Sequence, residues 1–282
     1  MSERPSDLRC VHCGHDELLA DESPDSVAGR FRCPACDTVY PSVLGVPYFG
    51  GFEREDIPGL IEIAANVVNR GKFGVTPAVV EQWERVIAEY DKAEDRAAFV
   101  AGCADAQSPY FPNRYGEWLQ ISRLTADLDL DGKAVLDMGA GLGFDSHRLV
   151  LRGARVTALE FSPLLAEAGK INFPHIRWIG GFSHCLPFCS GSFDAVFCNA
   201  ALHHMRDIPA AISEALRVLR PGGVLITTCD SFRPSAAGDD VELEIFDREP
   251  AVLMGVNEGI PKFSDFVSVL TRHADCVDTE VY

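Results

Sequence analysis

The stretch Lys133-Ala-Val-Leu-Asp137-Met-Gly139-Ala-Gly141-Leu-Gly143 decides the fold. Ala134 to Asp137 is an apolar run of buried-strand length. It breaks into three glycines spaced by two single residues, and a helix is expected directly behind, about Asp145–Leu151. A strand, a glycine loop and a helix in that order open a ligand-binding α/β unit. Toward the C-terminus the alternation repeats. Strands are expected over Ala154–Glu160, Ile176–Ile179, Phe193–Asn199 and Val224–Cys229, the last entered through Arg220-Pro-Gly-Gly223. Helices are expected over Pro163–Lys170 and Ile208–Leu219. Strands alternating with helices at this spacing predict an α/β, doubly wound parallel sheet, with ligands at the carboxyl ends of its strands. Beyond it, Phe263–His273 reads as a helix and Cys276–Tyr282 as one more strand.

The loop's detail narrows the ligand. A dinucleotide site wants G-x-G-x-x-G, but here the third glycine comes one residue early and Phe144 stands where the last would be. Asp137, two residues before the first glycine, would repel a pyrophosphate yet could hold an ammonium. Glu160 ends the second strand, placed to accept bonds from two ribose hydroxyls. A solvated carboxylate at a strand end fits the same pattern.

Toward the N-terminus, Asn113–Ala126 is expected to be a helix. Residues 50–112 read as a helical linker or cap: Thr76-Pro77 is a good helix start, and Val79, Val80, Trp83, Val86, Ile87 and Tyr90 recur at helical spacing. Ahead of them lie Cys10-Val-His-Cys13 and Cys33-Pro-Ala-Cys36. Two CxxC turns at this separation each aim two thiolates at one point, which together complete the tetrahedral shell zinc prefers. Four sulfurs leave no open position, so the zinc would be structural. A small ribbon over residues 1–49 follows, with a strand, a turn at Gly45 and a second short strand after the second knuckle. Too small to fold on core burial alone, it would draw much of its folding energy from the metal. His12 and His15 are read as exposed loop residues.

Composition bounds the function. The chain has 282 residues, 47% of them apolar, and a net charge of −17. Nucleic-acid binding by phosphate neutralisation is disfavoured. No apolar run reaches membrane-spanning length, and no apolar segment near the N-terminus suggests secretion, so a cytoplasmic setting without disulfides is expected. The acidity is uneven. Residues 107–234 carry twelve acids and twelve bases, whereas residues 235–282 carry eleven acids and three bases.

Taken jointly, Val-Leu-Asp137-Met-Gly-Ala-Gly-Leu-Gly143, Glu160-Phe-Ser-Pro163, Leu186-Pro-Phe188 with Phe193-Asp-Ala-Val196, Leu202-His-His-Met205 and Leu219-Arg-Pro-Gly-Gly223 resemble the class I S-adenosylmethionine-dependent methyltransferases. The blocks fall in that family's order over about residues 110–282, and the domain is read as 113–282. The resemblance implies a Rossmann-like sheet of the family's seven-strand type, its last strand missing or replaced, and S-adenosylmethionine as cofactor. By position, Gly139, Ala140, Gly141 and Gly143 would face the methionine part, and Asp137 would support the loop or the ammonium. Glu160 would bind the ribose and Phe161 would pack on the adenine. Asn199 and Ala200 would line the methyl group. Where the family often has Gly-Asp for the adenine amino group, this chain has Gly181-Phe182 with Ser183 next. The adenine is then held by Ser183, by backbone, or by stacking and shape. Arg114 and Tyr115 are candidate covers of the cofactor. The knuckles and Tyr40-Pro41…Gly45-Val-Pro47 also resemble the small activator subunit of tRNA methyltransferases, over about residues 8–49.

Methyl transfer needs a positioned nucleophile and, where required, a base near neutrality. His203 and His204, just past the fourth strand, are the candidate bases, against a packing or capping role; His147 is read as structural. Three functions compete. The first is methylation of a small molecule, such as a natural product or sugar. The second is methylation of an RNA base, disfavoured by the absence of a basic stripe and by Asn199-Ala-Ala-Leu202 where an Asn-Pro-Pro-Tyr type of tetrapeptide would stand. The third is a non-catalytic module that engages a protein partner, or a second copy, through the ribbon.

Overall fold

The computed structural model describes residues 7–21, 30–43, 45–50, 92, 121–230 and 262–273. The chain divides into two compact units, residues 1–63 with 130–282, and residues 64–129. In the second unit, residues 121–124 are helical and Thr125 Oγ1 bonds back to the Ile121 carbonyl at 2.7 Å. The expected helices of residues 50–112, and Arg114 and Tyr115, lie outside the described residues, as does the strand expected at Cys276–Tyr282.

The first unit is built on a seven-stranded sheet. Its elements in chain order are β1 (Leu19–Asp21), β2 (Arg30–Arg32), β3 (Val39–Tyr40), β4 (Ser42–Val43), β5 (Val46–Phe49), β6 (Ala134–Met138), α1 (Phe144–Leu151), β7 (Arg155–Glu160), α2 (Pro163–Asn172), β8 (Arg177–Gly181), β9 (Phe193–Asn199), α3 (Ile208–Val218), β10 (Leu219–Thr228) and α4 (Phe263–His273). Short 3-10 turns at Ser183–Cys185 and Leu202–His204 follow β8 and β9. The strand order is β10-β9-β6-β7-β8-β5-β4. All neighbours pair in parallel except β4 with β5. The order reverses at β6, the strand that feeds the glycine loop, and this is where α/β sheets leave a crevice.

The sheet interior is apolar because its strands are covered. Leu136, Met138, Leu159, Ile179, Val196 and Cys198 are all buried. The helices carry ordinary start signals. Ser162 caps α2 with Pro163 behind it, and Asp207 caps α3 with Pro209 in its first turn. One expected boundary shifts: β10 begins at Leu219, not Val224. Leu219 pairs with Phe193 and Val224 with Ala195, so Pro221-Gly222-Gly223 bulge out inside the strand instead of preceding it.

One edge of the sheet comes from an unexpected source. Beyond β8 the edge is completed by the hairpin β4–β5, which belongs to the cysteine-bearing N-terminal segment. Tyr48 pairs with Gly180 and Phe49 with Gly181. The segment does not precede the sheet as a free-standing ribbon; it is built into it. Phe49 is buried and packs on Tyr40, with ring centroids 4.8 Å apart. Leu8, Cys10 and Tyr40 belong to the same apolar cluster as Leu136 and Ile179. Asp7 to Arg9 clip onto Pro187 to Cys189: Arg9 N donates to the Pro187 carbonyl at 3.1 Å, and Cys189 N to that of Asp7 at 2.8 Å. Arg177 closes the clip on the Asp7 carboxylate at 2.6 Å. Burying a large side chain such as Tyr48 or Phe49 is worth about 1.5–3 kcal/mol.

Candidate functional site

Two sites stand out among the described residues, the cysteine cluster and the crevice above β6. The cluster is assembled from two turns with the same wiring. In the first, Gly14 N donates to the Cys10 carbonyl and Cys10 N to that of His15. In the second, Asp37 N donates to the Cys33 carbonyl and Cys33 N to that of Thr38. Gly14 and Asp37, at equivalent places, both have positive φ. The four Sγ atoms lie within 4.8 Å of one another, with Cys10–Cys36 at 3.7 Å and Cys13–Cys33 at 3.6 Å. Zn–S bonds of about 2.3 Å in a tetrahedron put sulfurs roughly 3.8 Å apart, so the cage has the right size. Within the cluster the thiols are shifted in opposite directions. Cys10 is lowered: burial opposes its thiolate, but the Tyr40 hydroxyl at 3.0 Å and the amides of Cys13 and His12 prevail. Cys13 is raised: the His15 amide favours its thiolate, while burial and the other three sulfurs override it.

The crevice begins with the glycine loop. Gly139, Gly141 and Gly143 have φ of 83°, 55° and 84°, a backbone that side chains rarely adopt. At Gly139 a Cβ would meet Ala201 at 2.6 Å, so the loop can lie against the end of β9 only as glycine. At Gly141 a Cβ would meet nothing within 4 Å, which leaves bare backbone facing open space. Gly143 is the left-handed residue from which α1 starts.

Glu160, 3% exposed, ends β7. Its Oε2 accepts from Gly141 N at 2.8 Å and its Oε1 from Ser162 N at 2.9 Å. One carboxylate thus ties the glycine loop to the following turn, and each oxygen keeps a lone pair for a ligand. Burial raises its pKa, and the amide bonds from Ser162, Gly141 and Phe161 only partly offset this. Asp137, 1% exposed, accepts from Ser146 Oγ at 2.5 Å. That contact anchors the loop to α1.

At the end of β9, Asn199 donates from Nδ2 to Asp145 at 2.8 Å, and Ala200 has φ of 48° while its N–H bonds the Thr228 carbonyl. Cys229, just past β10, has φ of 60°. Two non-glycine residues in the left-handed region flank one spot, each costing about 1 kcal/mol. The turn at Cys229 aims Asp230 at His203. Asp230 Oδ1 lies 2.7 Å from His203 Nδ1 and 3.2 Å from the His203 amide, with side chains 1% and 18% exposed respectively. A proton on Nδ1 leaves the Nε2 lone pair as acceptor. His204 lies beside His203, 4.0 Å between ring centroids with the planes tilted by 44°, and is exposed. His147 is buried against Phe173 at 4.7 Å.

On the β8 side, Phe182 lies 6.3 Å from Phe161 and 5.5 Å from His184, and Ser183 opens the 3-10 turn. Phe161 is also held from the N-terminal segment: the Tyr48 hydroxyl donates to its carbonyl at 2.6 Å. The loop, Glu160, Phe161, Phe182, Ser183, Asn199, Ala200 and His203 therefore all cap the carboxyl ends of β6 to β9. Asp230, Tyr48, Ser146 and Asp145 join them without having been singled out in the sequence. Asp230 could have been found as the first carboxylate past the fifth strand; Tyr48 gave no signal, since nothing in the sequence says that β5 pairs with β8.

Residues 136–227 match the family model described as a methyltransferase domain. A demethylmenaquinone methyltransferase of Renibacterium salmoninarum is 40% identical over 113 residues, covering 39% of this chain and 48% of that protein. A ubiquinone biosynthesis O-methyltransferase of Xanthomonas oryzae pv. oryzae is 31% identical over 137 residues, covering 47% and 57%. The chain thus spans about half the length of the curated relatives it matches. Among solved structures, geranyl diphosphate C-methyltransferase of Streptomyces coelicolor, in complex with S-adenosyl-L-homocysteine, aligns with a TM-score of 0.49 at 20% identity, covering 57% of this chain and 61% of that one.

Proposed function

We propose that the chain is an S-adenosylmethionine-dependent methyltransferase acting on a small molecule, with a structural zinc in its N-terminal segment. The carrying observation is the Glu160 carboxylate bonded to Gly141 at the mouth of a bare-backbone loop. The methyltransferase-domain match over residues 136–227 and the curated relatives support the same reading. The cofactor, when bound, supplies an electrophilic methyl on a cationic sulfur.

The protein's own residues then position and accept. Glu160 receives two ribose hydroxyls on its remaining lone pairs. Gly141 presents open backbone to the amino-acid part, within a loop that Gly139, Ala140 and Gly143 shape, and Asp137 holds the loop through Ser146. Phe161 and Phe182 flank the adenine, and Ser183 or backbone meets its amino group. Asn199 and Ala200 line the methyl side. His203, oriented by Asp230, takes a proton from the acceptor at Nε2, and His204 beside it is the alternative base. Cys10, Cys13, Cys33 and Cys36 hold the zinc and take no part in the transfer.

Calorimetry with S-adenosylhomocysteine tests the reading. One ligand per chain is expected for the wild type, with affinity at least tenfold weaker in Glu160→Gln. Absence of binding by the wild type would overturn it.

A further inference from the structure

Tyr48, Gly180 and Glu160 stand in one row across three neighbouring strands. Tyr48 of β5 pairs with Gly180 of β8, and Gly180 pairs with Glu160 of β7. Residues abreast in a sheet send their side chains to the same face. The middle member of this row has none. A Cβ at Gly180 would lie 2.2 Å from the Tyr48 ring, so the ring fills the space over β8 that a side chain there would take. Tyr48 is buried, and from this position it reaches the end of β7. Its hydroxyl donates to the Phe161 carbonyl at 2.6 Å, between residues 113 apart in sequence.

The carbonyl it holds belongs to the peptide that serves Glu160. The Phe161 C=O and the Ser162 N–H are two ends of one planar peptide group. That N–H donates to Glu160 Oε1 at 2.9 Å, while Gly141 N holds Oε2 at 2.8 Å. A donor on the carbonyl fixes the plane of the peptide, so its N–H keeps its aim. It also polarises the peptide, so the N–H becomes a stronger donor to an ionised carboxylate. Burial disfavours that ionised form, and the amides of Ser162, Gly141 and Phe161 work against burial. Among the described residues no charged side chain adds to this balance.

We propose that Tyr48 is a positioning residue for the ribose-binding carboxylate: through the Phe161–Ser162 peptide it holds Glu160 in place, which makes the cysteine-bearing segment a working part of the cofactor site. This rests on the methyltransferase reading and extends it to a strand outside residues 136–227, the part matched by the methyltransferase-domain model.

Tyr48→Phe in the full chain removes the hydroxyl and keeps the ring over Gly180. Titration calorimetry well below the melting temperature should find S-adenosylhomocysteine bound about fivefold more weakly than by the wild type, the worth of one hydrogen bond. Carboxyl-carbon NMR, with Glu160→Gln identifying the resonance, should find Glu160 titrating at higher pH in Tyr48→Phe, because its ionised form has lost support. The pH at which binding reaches half its plateau should rise with it. Phe49→Leu is the control. Phe49 pairs with Gly181, one position on, and so faces the other side of the sheet. It should lower the denaturation midpoint and leave both the affinity and the Glu160 titration unmoved. Three results would overturn the proposal: unchanged affinity in Tyr48→Phe, an unmoved Glu160 titration, or the same changes in Phe49→Leu. A Glu160 titration that moves in Tyr48→Phe, in a chain whose wild type ignores S-adenosylhomocysteine, would keep the link to Glu160 and overturn the methyltransferase reading.

Discussion

At the residue scale, Glu160 links stability and binding with opposite signs. Its folded pKa lies above the ordinary carboxylate value because of burial. The stability it contributes is therefore fully present below about 4.5 and is lost as pH rises through the raised folded value. Ligand affinity should move the other way, because only the ionised group accepts from both ribose hydroxyls. Calorimetry across pH should show S-adenosylhomocysteine binding strengthen through the interval in which the ligand-free protein loses melting temperature; Glu160→Gln should flatten both curves. His203 offers a second test. With Asp230 in place, nitrogen NMR should find the proton on Nδ1. In Asp230→Ala it should shift toward Nε2, and once the acceptor is known turnover should drop about a hundredfold or more. An unchanged tautomer would separate the two residues.

At the element scale, the pairing of β5 with β8 is decided by a missing side chain. A Cβ on Gly180 would lie 2.2 Å from the Tyr48 ring. Gly180→Ala should therefore cost about 1–3 kcal/mol, read as a lowered denaturation midpoint, and Gly180→Ala with Tyr48→Ala should be less unstable than the separate losses predict. The elements themselves were largely legible: β6 to β9 and α1 to α4 fall where apolar runs, caps and glycines put them, because each is specified by its own neighbours in sequence. The cysteine cluster was legible for the same reason, as two local turns with fixed spacing. What was not legible is long-range: the partner of β5, the Tyr48 bond to Phe161, and the reach of Asp230 to His203. The two contacts of Tyr48 leave no trace in periodicity or spacing, and Asp230 shows only as a carboxylate past the fifth strand, without its partner. The bulge in β10 was hidden because Pro221-Gly222-Gly223 has the composition of a loop, and only the pairing of Leu219 with Phe193 reveals it as strand.

At the scale of the whole molecule, the cysteine turns and the cofactor crevice share one apolar cluster, so metal removal should be felt beyond the metal. Chelation is expected to lower the melting temperature by on the order of 10 °C, about 3–4 kcal/mol. It should also speed hydrogen exchange at the β8 amides, which lose β5 as neighbour. Retention of full β8 protection after metal loss would show that the hairpin holds by packing alone. The strand order carries a further consequence, for the time course of folding. Tyr48 is synthesised roughly 130 residues before Gly180, the residue it pairs with. The N-terminal hairpin leaves the ribosome early and has no edge to dock on until β8 has emerged behind β6 and β7. Over that interval its apolar residues Tyr48 and Phe49 stand uncovered, and the two cysteine turns are the part of the segment that can close locally. A nascent chain that captures its metal early would carry a preformed hairpin to the growing sheet; one that does not would present an open strand to its neighbours on the polysome.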